Sequence, residues 1–180
     1  MLFRSVDAAG DGAGAPDRLT MNESWETRLT RWAFNWLLFP AYRGAGARVD
    51  YIAADWLEVR VRVPLSWRTR NYVGTIFGGS LYAAVDSVYM VMLIKVLGAG
   101  FTVWDKAATI RFLRPGRTTL YATFRITPET IQAIRMEARA KGKLERDFAV
   151  NLMDAAGEVY ASCTKTIHVR WKDEAKGSAA

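Results

Sequence analysis

Asn71-Tyr-Val-Gly-Thr-Ile-Phe-Gly-Gly-Ser-Leu-Tyr-Ala-Ala-Val-Asp86 runs from a polar loop through a glycine pair into a nearly all-apolar helix that carries one acid. From Gly78 to Ile94 the side chains are small, aliphatic or aromatic apart from Ser80, Asp86 and Ser87. An unpaired carboxylate on a core helix is costly unless something requires it. Two explanations stand: a functional acid, or an Asp bonded to a backbone group or to a neighbouring hydroxyl such as Ser87. Gly78 and Gly79 open the helix, where backbone N–H groups lack intrahelical partners and the macrodipole is positive. Such a position stabilises a polarised carbonyl or an oxyanion, and the absence of Cβ lets a ligand come close. The alternative is a pair of packing glycines where the helix passes under a sheet.

Around this stretch, 180 residues with 51% hydrophobic content predict one domain with a packed core. One cysteine, Cys163, excludes a disulfide framework and a multi-cysteine metal site, and one histidine, His168, excludes histidine-rich metal sites. No metal or cofactor is expected, and a reducing, cytoplasmic setting is. Residues 1–20 mix Ala, Gly and Asp around Pro16 and predict a disordered leader; residues 172–180 predict a disordered tail, leaving 21–171 as the domain.

Between Asn22 and Phe39, Trp25, Leu29, Trp32, Trp36 and Phe39 recur at helical spacing, with Pro40 as the stop. This amphipathic helix packs on the domain or on a partner subunit, with contact to a membrane surface as the lesser alternative. Tyr42 to Gly46 reads as a loop. Two strands follow within Arg48 to Leu65, broken near Ala54-Asp55, the second alternating Leu57, Val59, Val61, Val63 and Leu65 against Glu58, Arg60 and Arg62. The apolar helix ends at Gly98. Strands fit Thr102 to Leu113 and Thr118 to Thr127, a helix from Thr127-Pro128-Glu129 to Lys141, and strands Leu144 to Met153 and Glu158 to Arg170. That order predicts an α+β fold in which a mostly antiparallel sheet wraps one central helix. A membrane span over Gly79 to Gly98 has the length, but Asp86 and Lys95 are costly in lipid.

Asn71-x-x-Gly74-x-x-Phe77-Gly78-Gly79, followed seven residues later by Asp86, resembles the hotdog-fold thioesterases, in the branch that holds the phenylacetate-pathway enzymes and the DUF4442 proteins. Ala107-Ala-Thr-Ile-Arg-Phe-Leu-Arg-Pro-Gly116 is similar to the third strand of that family and its following turn. Phe77 stands where the thioesterases carry His. The resemblance implies a hotdog fold, pairing of subunits as a homodimer or dimer of dimers, and hydrolysis of an acyl-CoA-type thioester. It also implies roles: Gly78 and Gly79 polarise the carbonyl, Asp86 acts as base or nucleophile, Asn71 orients water or carbonyl, Phe77 and Gly74 line the substrate, and Asp105 assists. Asp105 has a plainer alternative, an ion pair with Lys106.

Helix geometry bears on the pairing. At about 1.5 Å per residue, Gly78 and Asp86 are separated by roughly 12 Å along a helix, too far for both to meet one carbonyl from a single chain. If both act on one thioester, they belong to different subunits. The net charge of +7 does not point to nucleic acid, because most basic residues alternate along strands (Arg60, Arg62, Arg111, Arg125) or sit in turns (Arg114, Arg117). The surplus equally suits the phosphates of coenzyme A. A catalytically silent protein that binds an acyl group, or serves as an oligomeric scaffold, is the alternative function.

Overall fold

The period-two valines do what alternation demands. In the computed structural model, which describes residues 25–33, 35 and 40–172, Val59, Val61 and Val63 of β2 (Glu58–Val63) are buried while Arg62 faces solvent. β2 pairs antiparallel with β1 (Arg48–Ile52) on one side and β4 (Leu120–Arg125) on the other. β5 (Lys143–Met153), β6 (Val159–Trp171) and β3 (Phe101–Phe112) complete a six-stranded sheet of order β1-β2-β4-β5-β6-β3. Every neighbouring pair is antiparallel. β3 is therefore an edge strand twelve residues long.

One face of this sheet packs on the central helix. Leu120, Ala122 and Phe124 from β4, and Ala161, Cys163, Ile167 and Val169 from β6, join Leu81, Ala84, Val85, Met92 and Leu93 in a single core. Tyr89 is wedged between Phe124 (ring centroids 5.0 Å apart) and Phe148 (4.8 Å), and its hydroxyl donates to the Ala149 carbonyl at 3.0 Å. Gly78–Leu97 has the length and apolarity of a membrane span, yet half of it is buried against the sheet and the neighbouring helices. It is also interrupted: α3 (Gly78–Val85) and α4 (Val88–Leu97) meet at Asp86, whose backbone is extended, and Ser87, which is left-handed at φ 63°. A non-glycine residue there is uncommon. The uninterrupted helix expected from composition thus has a break at its one acid.

One other expectation needs correction. Pro40 starts a helix: α2 (Pro40–Gly44) takes the first three residues of the expected Tyr42–Gly46 loop and leaves Ala45 and Gly46 as a turn, because proline suits a helix's first turn, where its missing N–H is not needed. Tyr42 then donates to the Ala84 carbonyl at 2.8 Å, tying α2 to α3. In α1 (Trp25–Ala33), Trp25, Leu29 and Trp32 form the expected stripe, but all three are exposed. Polar groups hold this end to β1: Arg31 donates to the Asp50 carbonyl at 2.6 Å, and Asn35 exchanges two 2.9 Å hydrogen bonds with the Val49 backbone. Trp36, Phe39, the leader over 1–20 and the tail beyond Lys172 lie outside the described residues.

α5 (Pro128–Lys141) starts as its sequence dictates, with Thr127 accepting from the Thr130 N–H at 3.2 Å and Pro128 in the first turn. Many basic side chains of the wet faces are paired. Arg60 and Arg125 both reach Glu58, Arg62 reaches Asp50, Lys141 and Arg146 reach Glu137, and Arg114 reaches Glu158.

Candidate active site

The loop before α3 is built by Asn71. Its side-chain oxygen accepts from the N–H groups of Val73 (3.1 Å) and Thr75 (3.0 Å), while its amide donates to Thr75 Oγ1 at 2.9 Å. Such side-chain mimicry of a turn is a common use of Asn. The turn it closes requires Gly74, whose φ of 81° is left-handed. The structure therefore engages the Asn71 side chain in shaping the loop, and it gives Gly74 a conformational task. Downstream, the Phe77 N–H donates to the Thr69 carbonyl at 2.7 Å and the Ile76 N–H to the Gly116 carbonyl at 2.8 Å, which fixes where α3 begins.

At that start, Phe77 accepts from the N–H groups of Ser80 (2.9 Å) and Leu81 (3.2 Å), so the N–H groups of Gly78 and Gly79 are those a helix leaves over. Both glycines are walled by aromatic rings. A Cβ on Gly78 would lie 3.1 Å from Phe112 Cζ, and one on Gly79 would lie 2.2 Å from Phe77 Cε1. Phe77 and Phe112 are 56% and 54% exposed, so the rings form an open apolar rim beside these N–H groups. Phe112 was not singled out from sequence; nothing local marks a strand-end Phe as the neighbour of a glycine far earlier in the chain.

Asp86 sits at the opposite end of the eight-residue α3, about 12 Å away by helical rise. It does not stand alone. Lys165 Nζ is 2.6 Å from Asp86 Oδ1 and 3.4 Å from Asp105 Oδ2, and Ser87 Oγ donates to Asp86 Oδ2 at 3.2 Å. The neighbouring hydroxyl foreseen from sequence is present, together with a cation that was not. Asp105 pairs with Lys165 and not with Lys106, which reaches Glu145 instead. The shift in register between Asp105 and Ala107 explains this separation, since a bulge re-aims the residues around it. Lys165 is buried, whereas the Asp86 side chain is 36% exposed.

Burial pushes the Asp105 carboxyl above the usual carboxylate range; the Asp86 charge adds to this and the Lys165 ammonium opposes it. Burial works against the Lys165 ammonium, but the hydrogen bond to Asp86 and the charges of both acids outweigh it and hold its pKa above the ordinary lysine value. His168 takes no part: it stacks on Trp104 at 4.1 Å and faces Glu145, with Nδ1 3.5 Å from the carboxylate. Among the described residues no group of His, Cys, Asp and Glu is arranged to hold a metal ion.

One chain thus presents N–H groups with aromatic rims at one end of α3 and a fixed carboxylate at the other. Solved structures share this fold. A protein of unknown function from Pseudomonas aeruginosa, described as a probable thioesterase, is 24% identical with a TM-score of 0.70, covering 81% of this chain and 95% of its own. Thioesterase superfamily member 2 from Mus musculus is 18% identical with a TM-score of 0.58, covering 81% and 98%. A protein of unknown function from Chlorobaculum tepidum is 14% identical with a TM-score of 0.64, covering 81% and 94%. No curated protein matches the sequence. The antiparallel sheet on a central helix is the hotdog fold, and with residues 27–169 matching the family described as Domain of unknown function (DUF4442), the chain belongs to that family.

Proposed function

We propose that the protein hydrolyses an acyl-CoA-type thioester at a site shared between two copies of the chain. The observation that carries this reading is the partly exposed Asp86 carboxylate, held by Lys165 at the break between α3 and α4 and separated from the N–H groups of Gly78 and Gly79 by the length of α3. Pairing is supported by β3, whose outer edge is long and unpaired among the described residues. A second copy at that edge supplies the missing half of each site.

In the shared site the Gly78 N–H, with that of Gly79, polarises the thioester carbonyl and then stabilises the tetrahedral oxyanion. Asp86 of the second copy takes a proton from the attacking water, and the collapsing intermediate expels the thiolate, which receives that proton. In the nucleophilic alternative the carboxylate attacks the carbonyl carbon, the C–S bond breaks with loss of the thiolate, and water then opens the resulting anhydride to acid and free Asp86. Phe77 and Phe112 offer apolar surface to the acyl group, Asn71 and Gly74 set the loop that carries Phe77, and the protein acts in the cytoplasm.

A second reading is supported by Phe77 itself: a ring in place of an ionisable side chain suits a silent acyl-binding protein or scaffold. Thiol release from short, medium, long and aromatic acyl-CoAs separates the two. Hydrolysis by the purified protein that falls at least about a hundredfold in Asp86→Asn supports the enzyme; binding of the same panel without thiol release supports the silent form.

A further inference from the structure

On β6, Ala161, Cys163, Lys165, Ile167 and Val169 follow one another at period two on the face turned to the central helix, and every one is buried. A lysine in the middle of that apolar row is out of place unless its ammonium is compensated, because desolvating a charge outweighs most single interactions. Compensation comes from both sides, from Asp86 at the α3–α4 break and from Asp105 on the neighbouring β3.

We propose that Lys165 is a positioning residue that holds and orients the Asp86 carboxylate, with Asp105 as a second carboxylate that anchors the lysine. The part of this that concerns hydrolysis rests on the function proposed above.

The exposure of the three groups is graded. Lys165 is 2% exposed, Asp105 18% and Asp86 36%, so a ligand arriving from solvent meets Asp86, and the lysine acts only through it. Lys165 takes Oδ1 and Ser87 takes Oδ2, which fixes the plane of the Asp86 carboxylate. Asp105 Oδ1 is buried without a hydrogen bond of ordinary geometry, and burial raises the pKa of this carboxyl despite the nearby Ser87 N–H, so it is the natural acceptor for an extra proton on the cluster. Tyr82 and Cys163 also face the cluster, the tyrosine ring with its centroid 5.5 Å from Lys165 Nζ. Burial raises both pKa values, and the charge of Asp86 adds to each, so both groups stay neutral near pH 7. Two carboxylates against one ammonium then leave the cluster with an excess of negative charge, and loss of the ammonium leaves two like charges in one half-buried site.

The test is a carboxyl titration by carbon-13 NMR of Asp-labelled protein, with the pH–rate profile recorded beside it. Lys165→Met keeps the apolar stem and removes the charge. The Asp86–Asp105 pair then takes up a proton about one to three pH units higher than in the wild type, the acid limb of kcat moves with it, and KM stays within about twofold. Adding Asp105→Asn returns the titration toward the wild-type position, because one carboxylate remains. A folded Lys165→Met protein whose pair titrates as in the wild type overturns the proposal. If Lys165→Met does not fold, Asp105→Asn alone decides: with one carboxylate facing the ammonium, the acid titration of the cluster moves to lower pH, and an unmoved titration contradicts the assignment. A wild type that releases no thiol defeats the proposed function but leaves the titration to decide Lys165 by itself.

Discussion

Lys165 Nζ lies 2.6 Å from Asp86 Oδ1, joining two residues that are 79 positions apart in the chain. The pairing decides how a substitution at Asp86 must be read. An isolated buried acid can be replaced by alanine with relief of a desolvation cost, but here the replacement leaves a buried ammonium with Asp105 alone. Asp86→Ala should therefore lose about 1–3 kcal/mol of stability in urea unfolding, and Asp86→Asn, which still accepts from Lys165, about half as much. Equal stability of Asp86→Ala and wild type would remove the ion pair from the account.

Ser87 carries the backbone cost of the break. Its φ of 63° disfavours any side chain by roughly 1–2 kcal/mol, against which stands one hydrogen bond to Asp86. Ser87→Gly should unfold at a temperature equal to or above that of the wild type, while Ser87→Val should unfold well below it. The reverse order would mean that the α3–α4 break is not left-handed.

Phe77 contributes its ring and no proton. Its ring fills the space that a Gly79 side chain would occupy. Phe77→Ala should shift the preferred acyl length, seen as changes in KM across the acyl-CoA panel, and leave the pH–rate profile in place. A displaced pH profile would show that the Phe77 position governs an ionisation.

Glu58 gives an acid sensitivity outside the site. Burial works against its charge, but hydrogen bonds from Arg125 and Arg60 outweigh this and hold its carboxyl below the ordinary glutamate value of 4.5. A depressed folded pKa contributes stability that is present above 4.5 and lost as pH falls through the folded value. The stability difference between wild type and Glu58→Gln should hence be constant from pH 7 to about 5 and shrink below about 4.5. Thermal unfolding across that range measures it; a difference that grows on acidification contradicts the assigned pairing.

Most of the strand pattern was legible in sequence because alternation reports a one-sided sheet directly, as in Val59, Val61 and Val63. Helix α5 was legible through Thr127, Pro128 and Gly142, which mark its ends by local chemistry alone. The α3–α4 break was not, since composition from Gly78 to Ile94 is helical and the groups that face Asp86 come from distant strands. Lys165 escaped for the same reason, although its signal was present: a lysine at period two between Cys163 and Ile167 occupies a core position. Pro40 misled because proline, which breaks a helix from within, suits the first turn of one.

The central claim is that Gly78 and Asp86 of one working site come from different copies, and subunit mixing tests it most directly. Gly78→Pro removes the N–H while suiting the first position of α3, and the extended Phe77 before it (φ −62°, ψ 131°) is the conformation that proline requires of its predecessor. The Phe112 ring must yield slightly, so the fold of this variant is checked by circular dichroism before mixing. Asp86→Asn and Gly78→Pro homodimers should each be inactive toward acyl-CoA, and refolding them together should restore one intact site per heterodimer, about a quarter of wild-type specific activity for a statistical mixture. A folded mixed dimer that releases no thiol, where the wild type does, would contradict the shared site.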